Sequence, residues 1–133
     1  MFTGFETIVV DNHSRDGSAA FVRAYYPEVT LVTMPENRGF AGGVNAGIRA
    51  ARGEYVALLN NDTEVDAGWL QALHQAIRDR PEVCIFASKL VNYFNRAVVD
   101  SAGDGVDLDL GPYKIGDGEP VERYNDRRLV FGS

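Results

Sequence analysis

The sequence has only one cysteine, Cys84, and it has no apolar run of the length that a transmembrane helix requires. A single cysteine cannot form an internal disulfide bond, which excludes a disulfide-stabilised secreted module. Because Cys84 lies within the apolar residues 83–86, we expect a buried structural thiol. No signal peptide precedes the first apolar segment. These absences predict a soluble protein of the cytoplasm.

Positive charge and histidine are also scarce. The 13 lysines and arginines are outnumbered by 19 aspartates and glutamates, which gives a formal net charge of −6. Such an acidic chain is a poor match for nucleic acid, so we expect no nucleic-acid partner. The two histidines, His13 and His74, lie in polar surroundings far apart in the sequence, and we expect both at the surface. No catalytic triad or histidine-based metal site is indicated.

A dinucleotide-binding fingerprint is absent as well. The chain has 14 glycines, but none of them forms a G-x-G-x-x-G pattern. This absence argues against a nicotinamide-dependent oxidoreductase, which stays as one hypothesis that an NAD titration would test.

Apolar segments and amphipathic segments alternate along the first two thirds of the chain. Strands are predicted at residues 7–10, 29–33, 55–60 and 83–87, and helices at residues 16–25, 41–51 and 67–79, the last capped by Asp66. The alternation over 133 residues predicts one α/β domain with helices packed on a mainly parallel sheet. After residue 91, frequent glycines predict loops and short antiparallel strands.

The segment at residues 55–60 is predicted to be the central strand. Apolar side chains alternate onto both of its faces, which is typical of a parallel strand covered by helices on both sides. Ligands of open α/β sheets bind beyond the carboxyl ends of the strands. Asn60, Asn61 and Asp62 follow at that end. Asp62 could hold Mg²⁺ or Mn²⁺, and Asn60 could add a carbonyl oxygen or bind a sugar hydroxyl. The alternative is a turn built from residues that favour turns.

Asp11 follows the first predicted strand and is expected in the same crevice. Its carboxylate could accept hydrogen bonds from a ribose hydroxyl or a base N–H. The alternative is that Asp11 or Asn12 caps the following loop. The two interpretations stay open at this stage.

A glycine-rich segment at residues 36–47 contains Gly39, Gly43, Gly47 and Asn45. Glycines at this spacing permit close packing of a helix on a sheet, which is the structural interpretation. The start of a helix beside such a loop is also a ready anion site, which is the functional interpretation. Asn45 is a poor helix former near the first turn, so we expect it to contact a ligand.

Three motifs in series resemble the family 2 glycosyltransferases of the GT-A fold, especially bacterial rhamnosyltransferase-like members. They are IVVDNHSRDGS at residues 8–18, ENRGFAGGVN at residues 36–45 and ALLNNDT at residues 57–63. The resemblance implies the three-layer, Rossmann-like α/β sandwich of nucleotide-diphospho-sugar transferases, here truncated. It also implies one partial domain over residues 1–133, with a nucleotide-sugar-binding half at residues 1–91 and the start of an acceptor-side half at residues 92–133.

The resemblance assigns roles to individual residues. Asp11 would contact the nucleoside, and residues 60–62 would replace the metal-binding D-x-D motif, with Asn60 in place of its first aspartate. Asp62 is then the metal ligand. The implied donor-binding set is Asp11, Asn12, Asn37, Arg38, Gly39, Asn45 and Asn60.

The reaction that the resemblance implies is inverting transfer of a sugar from a UDP- or dTDP-sugar to a saccharide or lipid-linked acceptor, in cell-surface polysaccharide synthesis. The intact protein would be cytoplasmic and peripheral at the inner membrane face. Compared with the family, a first strand and the catalytic base are missing, so we expect a fragment that is inactive alone and that self-associates through its exposed strand edges. The alternative is a non-catalytic nucleotide-sugar-binding module.

Overall fold

A computed structural model describes residues 3–130 of the chain. The chain divides into two compact units, Met1–Trp69 and Leu70–Ser133. No helix within residues 3–130 is long and apolar enough to cross a membrane. The mixture of helices and small sheets agrees with the predicted α/β class.

The first unit is built around two parallel strands. Strand β1 is Ile8–Asp11 and strand β2 is Thr30–Thr33, and Ile8 pairs with Thr30 in the ladder. Both strands consist largely of β-branched residues, which suit a pleated backbone. Helix α1, Ser18–Tyr25, connects the strands. The predicted strands at residues 7–10 and 29–33 and the predicted helix at residues 16–25 are therefore confirmed within two residues.

The two edges of β1 differ. The backbone carbonyl groups of Thr7 and Asp11 accept hydrogen bonds from Thr30 N–H and Met34 N–H on the β2 side, each at 2.9 Å. Because alternate residues of a parallel strand bond to the same neighbour, Ile8 directs its backbone groups away from β2. No strand among the described residues pairs with this second edge.

Helix α2, Gly39–Ala50, packs along β1 and is fixed at its far end by an ion pair. Gly43 and Ala46 are buried on its inner face, and a Cβ added at Gly47 would lie 3.1 Å from a methyl group of Val10. Just past the helix, both Arg52 N–H and the Arg52 guanidinium donate to the Glu6 carboxylate, at 2.8 to 3.1 Å. These bonds lower the pKa of Glu6 below its usual value, the backbone N–H of Arg52 contributing most.

The prediction of a central strand at residues 55–60 is wrong. The segment has no ladder hydrogen bonds, and Tyr55, Val56, Leu58 and Leu59 are 46% to 57% exposed. The apolar pattern identifies a segment suited to burial, but a strand exists only when a neighbour supplies hydrogen bonds. Within residues 3–130, β1 is bonded to β2 alone, and nothing pairs with this segment.

Helix α3, Trp69–Asp79, begins at the last residue of the first unit and runs into the second. Its apolar stripe, which includes Leu70, Leu73 and Ile77, is less exposed than the polar face that carries His74. The helix starts two residues later than predicted, because residues 67 and 68 form a turn closed by Trp69 N–H on the Asp66 carbonyl, at 2.9 Å.

Two further predictions for the second unit are wrong. Residues 83–87 do not form a strand, and the Cys84 side chain is exposed rather than buried. The neighbouring Ile85 is 81% exposed, whereas Val83 and Phe86 are partly buried, so the apolar run is only partly covered. Cys84 is therefore not a packed core thiol.

The remainder of the second unit consists of small antiparallel sheets, as predicted for residues beyond 91. Strands β3 and β4 pair with each other, and so do β5 and β6; their bounds are Leu90–Val91, Val99–Ser101, Asp104–Val106 and Pro112–Lys114. A short 3-10 helix follows at Val121–Tyr124. Val99 is almost completely buried at the centre, and the Tyr113 ring covers Gly105 across the second hairpin.

Candidate functional site

The carboxyl end of β1 carries the first predicted site residue, Asp11. Its backbone carbonyl bonds to Met34 N–H, and its side-chain oxygen accepts Ser14 N–H at 3.3 Å. Between them, His13 adopts a left-handed backbone conformation, with φ of 67°. The carboxylate of Asp11 therefore caps the loop that follows β1, as the structural interpretation proposed. Such a cap uses one carboxylate oxygen, so it does not exclude contact with a ligand.

Asn12 joins this loop to a distant part of the chain. Its side-chain carbonyl accepts Arg38 N–H at 3.0 Å, and its amide nitrogen donates to the Gly39 carbonyl at 2.9 Å and to Asn37 Oδ1 at 3.2 Å. Asn37 Oδ1 also accepts Gly39 N–H, at 2.8 Å. We call these four residues, Asn12, Asn37, Arg38 and Gly39, the β1–α2 corner. All four were predicted from sequence to belong to one site, and the structure brings them together.

The shape of the corner depends on a glycine and on a close helix contact. Gly39 has φ of 68°, a left-handed conformation that favours glycine. The first turn of α2 lies against Arg38, because a Cβ added at Gly42 would overlap the Arg38 Cβ. The Cβ of Arg38 therefore occupies space that a side chain at position 42 would need.

The Arg38 guanidinium is the only cation of the β1–α2 corner and is half exposed. Its Nε and Nη2 atoms lie 3.0 Å and 2.9 Å from Glu36 Oε1. An exposed pair of this kind is worth little to stability, so the guanidinium is available to exchange partners with an anionic ligand. The sequence analysis did not select Glu36 as a site residue; the signal that points to it is a carboxylate two residues before the arginine in a turn-forming segment.

Besides Asp11, three predicted site residues lie outside the β1–α2 corner. Asn45 is exposed on α2, and Asn60 and Asp62 are exposed in a turn. Thr63 closes that turn by donating its N–H and its hydroxyl to the Asn60 carbonyl, at 3.3 Å and 2.7 Å. The structure thus gives the Asn60 carbonyl the turn role that the alternative interpretation proposed. Within residues 3–130, the hydrogen bonds of the corner do not include these three residues.

Asp62 is the residue predicted to hold a divalent ion. No group of three or more histidine, cysteine, aspartate or glutamate side chains within residues 3–130 could hold a metal ion. Asp62 supplies an exposed carboxylate, and Glu64 and Asp66 are exposed close to it in sequence. Mg²⁺ is commonly held by one or two protein carboxylates and completes its coordination with water and ligand phosphates. A single carboxylate is within the range that Mg²⁺ accepts from a protein, so Asp62 stays a predicted ligand.

Comparison with known proteins identifies one matching family and several similar proteins. Residues 2–105 match the family described as Glycosyl transferase family 2. The succinoglycan biosynthesis protein ExoO of Rhizobium meliloti is 46% identical over 61 residues, which are 45% of this chain and 18% of that protein. The glycosyltransferase GlyG of Streptococcus pneumoniae is 28% identical over 97 residues, 71% of this chain and 31% of that protein. A dolichyl-phosphate beta-glucosyltransferase of Dictyostelium discoideum is 32% identical over 63 residues, 44% of this chain and 19% of that protein.

The matched part of the chain spans less than a third of the length of each of these relatives. No solved structure matches the chain. The family match covers more than half of the sequence and contains all the residues of the β1–α2 corner together with Asp62. The family implies the GT-A fold of nucleotide-sugar transferases, and its members generally use a divalent metal. The chain belongs to glycosyl transferase family 2.

Proposed function

We propose that the chain binds the nucleotide-diphospho-sugar donor of an inverting glycosyltransferase at the β1–α2 corner. The β1–α2 corner itself carries the proposal. It combines a cation, Arg38, with backbone groups at the start of a 12-residue helix. The Arg38 side chain does not cap α2, and the side chain of Asn37 accepts only the N–H of Gly39 at the start of the helix. The positive end of a helix dipole favours an anion such as a diphosphate.

The remaining predicted residues extend this proposal. Asp11 would accept hydrogen bonds from the nucleoside, and Asn45 and Asn60 would bind the ribose or the transferred sugar. Asp62 would hold Mg²⁺ or Mn²⁺. When bound, such an ion supplies charge neutralisation for the nucleoside diphosphate that leaves. All of these residues lie in the first unit, within the proposed nucleotide-sugar-binding half at residues 1–91.

The acceptor is proposed to be a saccharide or a lipid-linked saccharide, and the product a cell-surface polysaccharide. The names of two relatives support this class: one is a succinoglycan biosynthesis protein and another is a dolichyl-phosphate glucosyltransferase. An acceptor of this kind would place the intact protein in the cytoplasm, at the inner face of the membrane. Residues 92–133 would begin the acceptor-side half.

Isothermal titration calorimetry with UDP and with dTDP, each with and without Mn²⁺, tests the donor proposal. We expect binding that requires Mn²⁺ and that weakens in Asp62→Ala and in Arg38→Ala. Arg96→Ala, which removes a cation of the second unit that lies over the Tyr93 ring, is the matched control and should bind like the unsubstituted chain. Equal binding by Asp62→Ala in Mn²⁺ would disprove the metal role. Equal binding by Arg38→Ala would place the nucleotide elsewhere.

A further inference from the structure

Asn12 has almost no hydrogen-bonding capacity left for a ligand. An asparagine side chain carries two N–H donors and one carbonyl oxygen with two lone pairs. In this structure the amide nitrogen makes two hydrogen bonds and the carbonyl oxygen makes one, all to Asn37, Arg38 and Gly39. A direct contact with a donor nucleotide would have to use the last lone pair or break one of these bonds.

The three bonds fix the loop that presents Arg38. Asn12 accepts the N–H of Arg38 and donates to the carbonyl of Gly39, so it holds the backbone on both sides of the Arg38 Cα. The backbone of Arg38 is not helical, with φ of −104° and ψ of 20°, and that of Gly39 is left-handed. Neither conformation is maintained by a regular helix or sheet. The side chains of Asn12 and Asn37 supply that restraint.

The side chain of Asn12 also lies against α2. A Cβ added at the buried Gly43 would lie 3.7 Å to 3.9 Å from the Asn12 side chain, which is ordinary van der Waals contact. Asn12 thus fills the space between β1, the loop at residues 37–39 and the first turns of α2. The side chain of Asn12 therefore connects these elements to one another rather than projecting into a crevice.

We infer that Asn12 is a positioning residue: it supports donor binding by holding the backbone of Arg38 and Gly39, without touching the donor. This inference rests on the proposed function, because it assumes that the β1–α2 corner binds the nucleotide. If the loop is in its binding conformation only part of the time, the apparent affinity for the nucleotide equals the intrinsic affinity multiplied by the populated fraction. Loss of two neutral hydrogen bonds is expected to weaken binding about tenfold to thirtyfold.

The test uses the 133-residue chain and three variants. Asn12→Asp keeps the shape and the acceptor for Arg38 N–H, but it loses both donors and sets a carboxylate against two oxygen acceptors. Asn12→Gln keeps the amide but displaces it by one methylene group. Gly43→Ala, beside Asn12, leaves every bond of the network intact and is the control. Amide resonances of Arg38 and Gly39 are followed by NMR without ligand, and UDP and dTDP affinities in Mn²⁺ by calorimetry.

We expect Asn12→Asp and Asn12→Gln to shift the Arg38 and Gly39 resonances in the ligand-free protein and to weaken nucleotide binding, with Gly43→Ala unchanged. Protonation of the carboxylate that Asn12→Asp introduces restores one hydrogen-bond donor. As the pH is lowered, the ligand-free resonances and the nucleotide affinity of this variant should both approach those of the unsubstituted chain, with the same midpoint. The unsubstituted chain should show no such recovery. If Asn12→Asp does not fold at neutral pH, Asn12→Gln gives the same two readouts.

Lost affinity with unchanged ligand-free resonances would overturn the inference, because it would mean that Asn12 touches the nucleotide. Shifted resonances with undiminished affinity would overturn it too, because the loop would then be irrelevant to binding. Absence of nucleotide binding by the unsubstituted chain is a different outcome: it overturns the proposed function, and the role of Asn12 in donor binding with it.

Discussion

Replacement by alanine is predicted to have opposite effects on stability at two neighbouring glycines of α2. A Cβ added at Gly42 would overlap the Cβ of Arg38, which is anchored by the backbone and cannot move aside like the end of a flexible side chain. A Cβ added at Gly43 would meet Asn12 at 3.7 Å, an ordinary contact. Both substitutions replace glycine by alanine early in the same helix, so they share the same gain in helix propensity.

The magnitudes follow from these contacts. Replacing glycine by alanine in a helix stabilises it by about 1 kcal/mol. Gly43→Ala should gain up to that amount. Overpacking typically costs about 1 to 3 kcal/mol, so Gly42→Ala should be between neutral and about 2 kcal/mol less stable. Because Arg38 must shift to relieve the overlap, Gly42→Ala should also weaken nucleotide binding, whereas Gly43→Ala should not.

Urea unfolding and calorimetric titration with UDP and dTDP in Mn²⁺ measure both quantities on the two variants. The expected result is that Gly43→Ala is at least as stable as the unsubstituted chain and binds equally well, while Gly42→Ala binds more weakly. The reasoning would be refuted if both variants gained stability and bound nucleotide equally, because the contact between α2 and Arg38 would then be absent in solution.

Three further predictions concern stability, turnover and association. The folded-state pKa of Glu6 lies below its ordinary value of 4.5, so the hydrogen bonds from Arg52 stabilise the folded protein above pH 4.5. This stabilisation is lost as the pH falls through the folded-state pKa. The free energy of unfolding should therefore fall less steeply with acid in Glu6→Gln than in the unsubstituted chain, and identical acid profiles would contradict this. The 133-residue chain should release nucleoside diphosphate about a hundred to ten thousand times more slowly than a family member with a positioned general base, because the carboxylate of Asp100 is paired with Lys114. Turnover that Asp104→Asn abolishes would contradict this, because Asp104 would then be the base. No strand within residues 3–130 pairs with the second edge of β1, so the chain should dimerise through this edge at high concentration, and a monomer by light scattering would contradict that.

The sequence predicted the helices best. The apolar spacing within α1, α2 and α3 is local, and each helix lies within two residues of its predicted bounds. Strands β1 and β2 were also predicted, because both are β-branched and the helix between them provides the crossover.

The errors arise where structure depends on a distant partner. Residues 55–60 and 83–87 have the composition of buried strands, but pairing decides whether a strand forms, and composition does not reveal the neighbour. The same limit applied to Cys84, whose apolar surroundings in sequence did not ensure a covering layer.

Four of the eight predicted site residues come together in the structure, and their hydrogen bonding could not be predicted from sequence. Motif resemblance grouped Asn12 with Asn37, Arg38 and Gly39, but their hydrogen bonds span 25 to 27 residues of sequence and could not be derived from spacing. The same reason explains why Glu6 and Arg52, 46 residues apart, escaped notice. The role of Asp62 stays a prediction.

The central claim is that a nucleotide binds at the β1–α2 corner, and NMR titration of the labelled 133-residue chain tests it most directly. With UDP or dTDP in Mg²⁺, which is diamagnetic, the largest amide shifts should fall on residues 11–12 and 37–39, followed by Asn45 and residues 60–62, with little change in strands β3 to β6. Saturable shifts confined to residues 70–130, or no saturable shift with either nucleotide, would contradict the account.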